Sequence, residues 1–180
     1  MVILTLVIPF LDSVDRFQLT NSAAPFIVFI IGLSLCHFYP SLKRWSTARG
    51  DTTIIIGVVV GFSIGSYLNY YSGFLIQPVL PPLYDIKYPN RIGYFLGIVR
   101  TILGMLTLFA TRTLFKLILL RIICFYHKLD YKDEKSKKEK KVELPYYYLT
   151  YIAIGFNITF TSPVTFRLLN IARDYTYTEL

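Results

Sequence analysis

The chain has 180 residues, a formal net charge of +8, 54% hydrophobic and 17% aromatic residues, and a mean hydropathy of +0.49. That is more apolar material than a soluble core of this size needs, so composition points to a membrane protein. No basic and aromatic surface repeats outside the apolar blocks, which excludes nucleic acid as the partner of the positive charge and points to anionic lipid heads.

Met1 to Leu11 is apolar but about half the roughly 20 residues that a membrane helix requires. It reads as the second half of a truncated helix, and with no basic n-region or small-residue cleavage site it does not resemble a signal peptide. Ala23 to Tyr39 is expected to span, entered through Pro25 and closed by Pro40. Between it and the next apolar run lies "RWSTARGDT", Arg44 to Thr52, with the only tryptophan of the chain. It is expected to be a tight interhelical turn, with Asp51 or Thr52 capping the helix that follows and Trp45 at the interface. Arg49-Gly50-Asp51 matches an adhesion tripeptide only at the level of chance.

Thr53 to Ile76 is the second expected span, and Gln77 to Asn90, with four prolines, a connecting loop. Gly57, Gly61 and Gly65 recur every fourth residue and line one face, where another membrane helix can approach closely. Arg91 to Tyr126 stays apolar for longer than one span, interrupted by Arg100, Arg112, Lys116 and Arg121. One helix with a basic interfacial segment and two short spans both fit. Gly93, Gly97 and Gly104 mark a second small-residue face, and Arg100 projects from the same side.

Residues 127–143 form a charged loop in which lysines outweigh acids, expected on the cytosolic side. Residues 144–170 are the final span, opened by Tyr146, Tyr147, Tyr148 and Tyr151 as an interfacial belt, and 171–180 a tail. The expected architecture is all-α, a polytopic transmembrane helix bundle of about four to six spans with the first truncated.

Signals for chemistry are few. Cys36 and Cys124 lie far apart in apolar runs and read as packing residues, not a disulfide framework or a thiolate metal site. His37 and His127 have no second histidine at ligand spacing, so no metal and no cofactor is expected. Neither a phosphate-cradling Gly-rich loop nor a nucleophile elbow occurs. Asn157-Ile158-Thr159 has the form of a glycosylation triplet but sits inside the last span, and the terminal Thr178-Glu179-Leu180 is a PDZ-like ending of chance frequency. Arg100, Arg49 and Arg44 are the candidate contacts for a lipid phosphate. For Arg100 the alternative is structural hydrogen bonding to carbonyls, Asn69 or Asn157, because an arginine in a span normally faces protein or water.

"RWSTARGDT" before a glycine-rich span, "KVELPYYYLTYIAIGFNITF" after a basic loop, and "PFLDSVDRF" and "APFIVFIIGL" upstream together resemble the C-terminal half of sphingosine-1-phosphate phosphatases. These belong to the type 2 phosphatidic acid phosphatase and haloperoxidase superfamily. The resemblance covers nearly the whole chain. It implies a multispanning endoplasmic reticulum protein and metal-free hydrolysis of sphingoid base phosphates through a histidine nucleophile and a second histidine for proton transfer.

The three catalytic signatures of that family are absent here. No Arg-Pro occurs; Tyr39-Pro40-Ser41-Leu42 lacks the histidine of the Pro-Ser-x-His run; and Arg121, His127 and Asp130 fail the third signature, with Leu120 in place of serine and two residues before Asp130 where three belong. The resemblance therefore implies a C-terminal fragment that is inactive alone, with sphingoid base phosphates and membrane lipids as partners. The alternative is a non-catalytic membrane scaffold or regulatory partner. It also puts "RWSTARGDT" in the lumen, whereas counting one crossing per apolar run puts it with the lysine loop in the cytosol. Both hold only if Arg91 to Tyr126 crosses twice.

Overall fold

The computed structural model of the chain describes residues 2–39, 47–74, 91–127 and 140–172. Among them all regular structure is helical: α1 (Val2–Thr20), α2 (Ala24–Phe38), α3 (Thr47–Tyr71), α4 (Arg91–His127), α5 (Lys140–Phe156), a π-helical turn (Asn157–Thr161) and α6 (Ser162–Leu168). The chain is an all-α bundle that includes apolar helices of membrane-spanning length.

By length and composition α3 and α4 qualify as spans, and a third is counted if Phe10–Thr20 and Ala24–Phe38, which meet at a bend of 113°, form one broken span. Two to three against an expected four to six has a local cause. The last helical run is divided by the π turn and diluted by tyrosines, and α2 alone, at 15 residues, rises only about 22 Å. Helix α1 continues through Asp12, Asp15 and Arg16 beyond the apolar run that ends at Leu11.

The centre of the bundle is the seam between α3 and α5. Its register runs in one direction: Gly57 lies against Tyr148 and Tyr151, Gly61 against Gly155, and Gly65 against Thr159, so the two helices are parallel. A Cβ on Gly61 would meet the Ile152 carbonyl oxygen and the Phe156 nitrogen, and one on Gly155 would meet the Val58 carbonyl. Backbone therefore lies on backbone, which only glycine on both sides permits. The small-residue face offered to another helix is filled by α5 of the same chain.

Helix α2 packs antiparallel across this pair. Its Gly32 lies beside Val60 and the Tyr148 hydroxyl, and Cys36 joins Val60, Leu144 and Tyr148 in one buried cluster. Tyr148 is thus a core residue and not part of an interfacial belt: it is 1% exposed and its hydroxyl donates to the Phe29 carbonyl at 2.6 Å. Helix α4 lies on the far side of α5 and antiparallel to it, with Leu120 and Cys124 packed on Val142.

Helix α4 settles one open question. It is a single helix of 37 residues with no turn at Thr111 to Thr113, and at 1.5 Å per residue it is about 55 Å long. The two topological expectations for "RWSTARGDT" therefore do not hold together. The ends of α2 and α4 and the starts of α3 and α5 come to one end of the bundle.

The expected turn and cap are corrected. Arg49, Gly50, Asp51 and Thr52 lie inside α3, which begins at Thr47, so neither Asp51 nor Thr52 caps it. Instead Thr52 and Thr53 each donate a hydroxyl hydrogen bond to the carbonyl four residues back, Ala48 and Arg49, at 2.8 and 2.9 Å. Back-bonding of this kind satisfies the hydroxyl inside a helix and removes it as a cap. Arg44 and Trp45 lie outside the described residues, as does most of the lysine-rich segment.

Candidate functional site

The polar groups inside the bundle fall into three levels along α5. At the end where α3 and α5 begin, Arg49 Nη2 donates to Glu143 Oε2 as an ion pair whose side chains are 16% and 7% exposed. Glu143, expected in a solvated loop, lies in the first turn of α5 and is buried. Tyr147 covers the pair from the next turn, since its ring is the nearest neighbour of Gly50.

The middle level is a buried amide and hydroxyl network. Asn157 Nδ2 donates to Thr111 Oγ1 at 2.6 Å, Ser162 Oγ donates to Asn157 Oδ1 at 2.7 Å, and Thr107 Oγ1 lies 3.4 Å from Ser162 Oγ. Every member comes from the contact of α4 with the π turn and the start of α6, and Asn157 is 5% exposed. An unshared amide in hydrocarbon would cost several kcal/mol; here both ends of the amide are used, which clamps α4 onto the last helical run.

The π turn and the third level follow from Pro163. Proline has no N–H to donate to the carbonyl four residues back, which is that of Thr159. The register slips so that the Ser162 N–H bonds to the Asn157 carbonyl five residues back, and the freed Thr159 carbonyl accepts from Asn69 Nδ2 of α3 at 2.8 Å. At the same end Arg100 Nε donates to the Ile171 carbonyl, and Arg167 reaches the Phe74 carbonyl at 3.3 Å while its guanidinium sits 4.6 Å over the Phe74 ring.

The three arginines singled out in the sequence are not brought together. Arg49 is committed to Glu143 at one end of the bundle, Arg100 to a main-chain carbonyl toward the other, and Arg44 lies outside the described residues. For Arg100 the geometry matches the structural alternative. His37 and His127, at the ends of α2 and α4, each meet a chain neighbour edge-on, Phe38 and Tyr126. Sequence reasoning missed Glu143 and the Asn157–Ser162 pair. Their signals are a carboxylate two residues before Pro145 at a helix start and an asparagine five residues before a Ser-Pro step.

Among the described residues this arrangement positions helices and supplies acceptors to Arg49, Arg100 and Arg167. The chain is 35% identical over 172 residues to sphingosine-1-phosphate phosphatase 1 of Mus musculus and 34% identical over 172 residues to that of Rattus norvegicus. It is 24% identical over 164 residues to sphingosine-1-phosphate phosphatase 2 of Homo sapiens. These matches cover 94%, 94% and 90% of this chain, and 40% of each relative. No protein-family model and no solved structure matches the chain. The chain spans about two fifths of the length of the curated relatives it matches, and across almost all of its own length it is a homologue of sphingosine-1-phosphate phosphatases.

Proposed function

We propose that this chain is the non-catalytic membrane portion of a lipid phosphate phosphatase acting on sphingosine-1-phosphate and related sphingoid base phosphates, with its helices shaping the path of the lipid. The observation that carries this reading is a combination. Similarity to sphingosine-1-phosphate phosphatase 1 extends over 94% of the chain, yet none of the three catalytic signatures of that superfamily occurs in it. Residence in the endoplasmic reticulum membrane is part of the proposal and rests on the same resemblance.

Within this reading Arg44 contacts the headgroup, Arg49 fixes the helix ends on that side of the bundle, and Arg100 fixes α4 toward the opposite end. Substituting Arg49 by alanine in a phosphatase that contains this bundle should then weaken substrate use through loss of the Glu143 pair; unchanged affinity and turnover would remove Arg49 from the scheme. The direct test is phosphate release from sphingosine-1-phosphate by membranes containing the chain alone, and by membranes in which a segment carrying the three signatures accompanies it. Release only in the second case is expected, and release by the chain alone would overturn the assignment. A second reading, a scaffold or regulatory partner without catalytic company, is favoured by the closure of the α3–α5 seam within the chain; absence of release in both membranes would select it.

A further inference from the structure

Helix α4 packs on α5 and on the π turn, and between two of these contacts its side chains stay exposed. Thr111 is tied to Asn157, and Leu120 packs on Val142. The seven residues from Arg112 to Ile118, two full turns, are exposed on every side. Leu114, Leu117 and Ile118 can face lipid, being 57%, 52% and 52% exposed. Arg112 and Lys116 cannot do so at low cost.

Their depth makes the cost large. Asn157, the partner of Thr111, lies two residues past Gly155, and Gly155 rests on Gly61, just beyond the midpoint of α3. Arg112 therefore sits level with the middle of a spanning helix, where a cation costs at least about 3 kcal/mol. Three arginines elsewhere in the bundle have acceptors: Glu143 for Arg49, the Ile171 carbonyl for Arg100, and the Phe74 carbonyl and ring for Arg167. Among the described residues no carboxylate pairs with Arg112 or Lys116. The two are four residues apart, hence neighbours on one side of the helix, and like charges at that spacing repel.

We infer that Arg112 and Lys116 form an anion site at mid-depth of the bundle that takes the phosphate monoester head of a sphingoid base phosphate. The choice of ligand rests on the lipid phosphatase reading above and on charge and donor count. Two cations face one side, and both side chains are donors only. A phosphate monoester, with about two negative charges and three acceptor oxygens, answers all of them, and the guanidinium can grip two oxygens in parallel. A carboxylate on a passing helix supplies one charge and two oxygens and leaves one cation unanswered.

The test uses the full chain in phosphatidylcholine vesicles and a photoactivatable sphingosine-1-phosphate as probe. Labelling should be competed by unlabelled sphingosine-1-phosphate, and not by sphingosine or by inorganic phosphate at equal concentration. The double variant Arg112→Gln, Lys116→Gln should bind at least tenfold more weakly. Because it removes two unanswered cations, it should also unfold at a higher temperature in detergent than the unaltered chain, which separates lost binding from lost folding; Arg121→Gln, nearer the Glu143 end, should bind as before.

Undiminished binding by the double variant, or equal competition by sphingosine, overturns the site. Equal competition by free phosphate replaces a lipid site with a general anion site, and a photo-crosslinker at Leu117 that captures another polypeptide in native membranes makes this face a helix interface; either result defeats the proposal. Phosphate release in the assay above without specific binding here would remove this site and leave the functional reading intact. Specific binding with no release from any combination would leave the site and remove that reading.

Discussion

Helices α3 and α4 carry similar signatures, an apolar run with glycines on one face, and use them in opposite ways. On α3 the glycines are occupied: Gly57, Gly61 and Gly65 all lie against α5, with backbone contacts at Gly57 and Gly61. On α4 they are not. A Cβ on Gly97 would meet nothing within 4 Å, and one on Gly104 only the Phe166 ring edge at 3.8 Å. What holds α4 is instead the apolar cluster of Leu120 and Cys124 on Val142, with the Asn157–Thr111 and Arg100–Ile171 bonds. Glycine spacing thus permits a close seam, and complementary small residues on the partner, such as Gly155, make one.

The difference can be broken at four points, in order of expected effect. Gly61→Leu should be the most damaging, because the nearest obstacles are the Ile152 carbonyl and the Phe156 nitrogen, which cannot rotate away. A loss of about 3 kcal/mol is expected in a denaturant titration of the detergent-solubilised chain. Glu143→Ala should cost about 2 kcal/mol by the same measurement, below the figure for fully buried pairs because Arg49 keeps some exposure; Glu143→Asp should recover part of it.

Asn157→Leu removes the clamp on α4 but leaves the α3–α5 seam. About 1 kcal/mol is expected, with hydrogen exchange rising in α4 and not in α3. Equal exchange gains in both helices would show that the two seams are not independent. Gly97→Ala should cost nothing and can gain up to about 1 kcal/mol of helix propensity, since its face is open. A loss comparable to that of Gly61→Leu would mean that α4 has a close neighbour on that face.

The α3 glycine face was legible because spacing of four is a local property, whereas the α4 glycines that share Arg100's side are open and Arg100 is placed by the Ile171 carbonyl instead. The ion pair was not legible. Arg49 and Glu143 are 94 residues apart, and each sits in a stretch whose local character, turn-like or solvated, argues against burial. The cap assigned to Asp51 or Thr52 failed because hydroxyl and carboxyl residues before an apolar run look the same whether they precede the first turn or lie within it. The unbroken course of α4 was hidden for a related reason: charges every few residues read as an interruption, although helix propensity tolerates arginine and lysine well.

Because α3 and α5 are parallel and α4 crosses once between them, one short segment governs the insertion of three helices. His127 and Lys140 bracket the lysine-rich stretch, so the compartment that retains those lysines during synthesis also receives the start of α3, with Arg49, Gly50 and Asp51. Reversing the charge of the lysine stretch would then invert α3, α4 and α5 as a unit, carrying Arg112 and Lys116 with them.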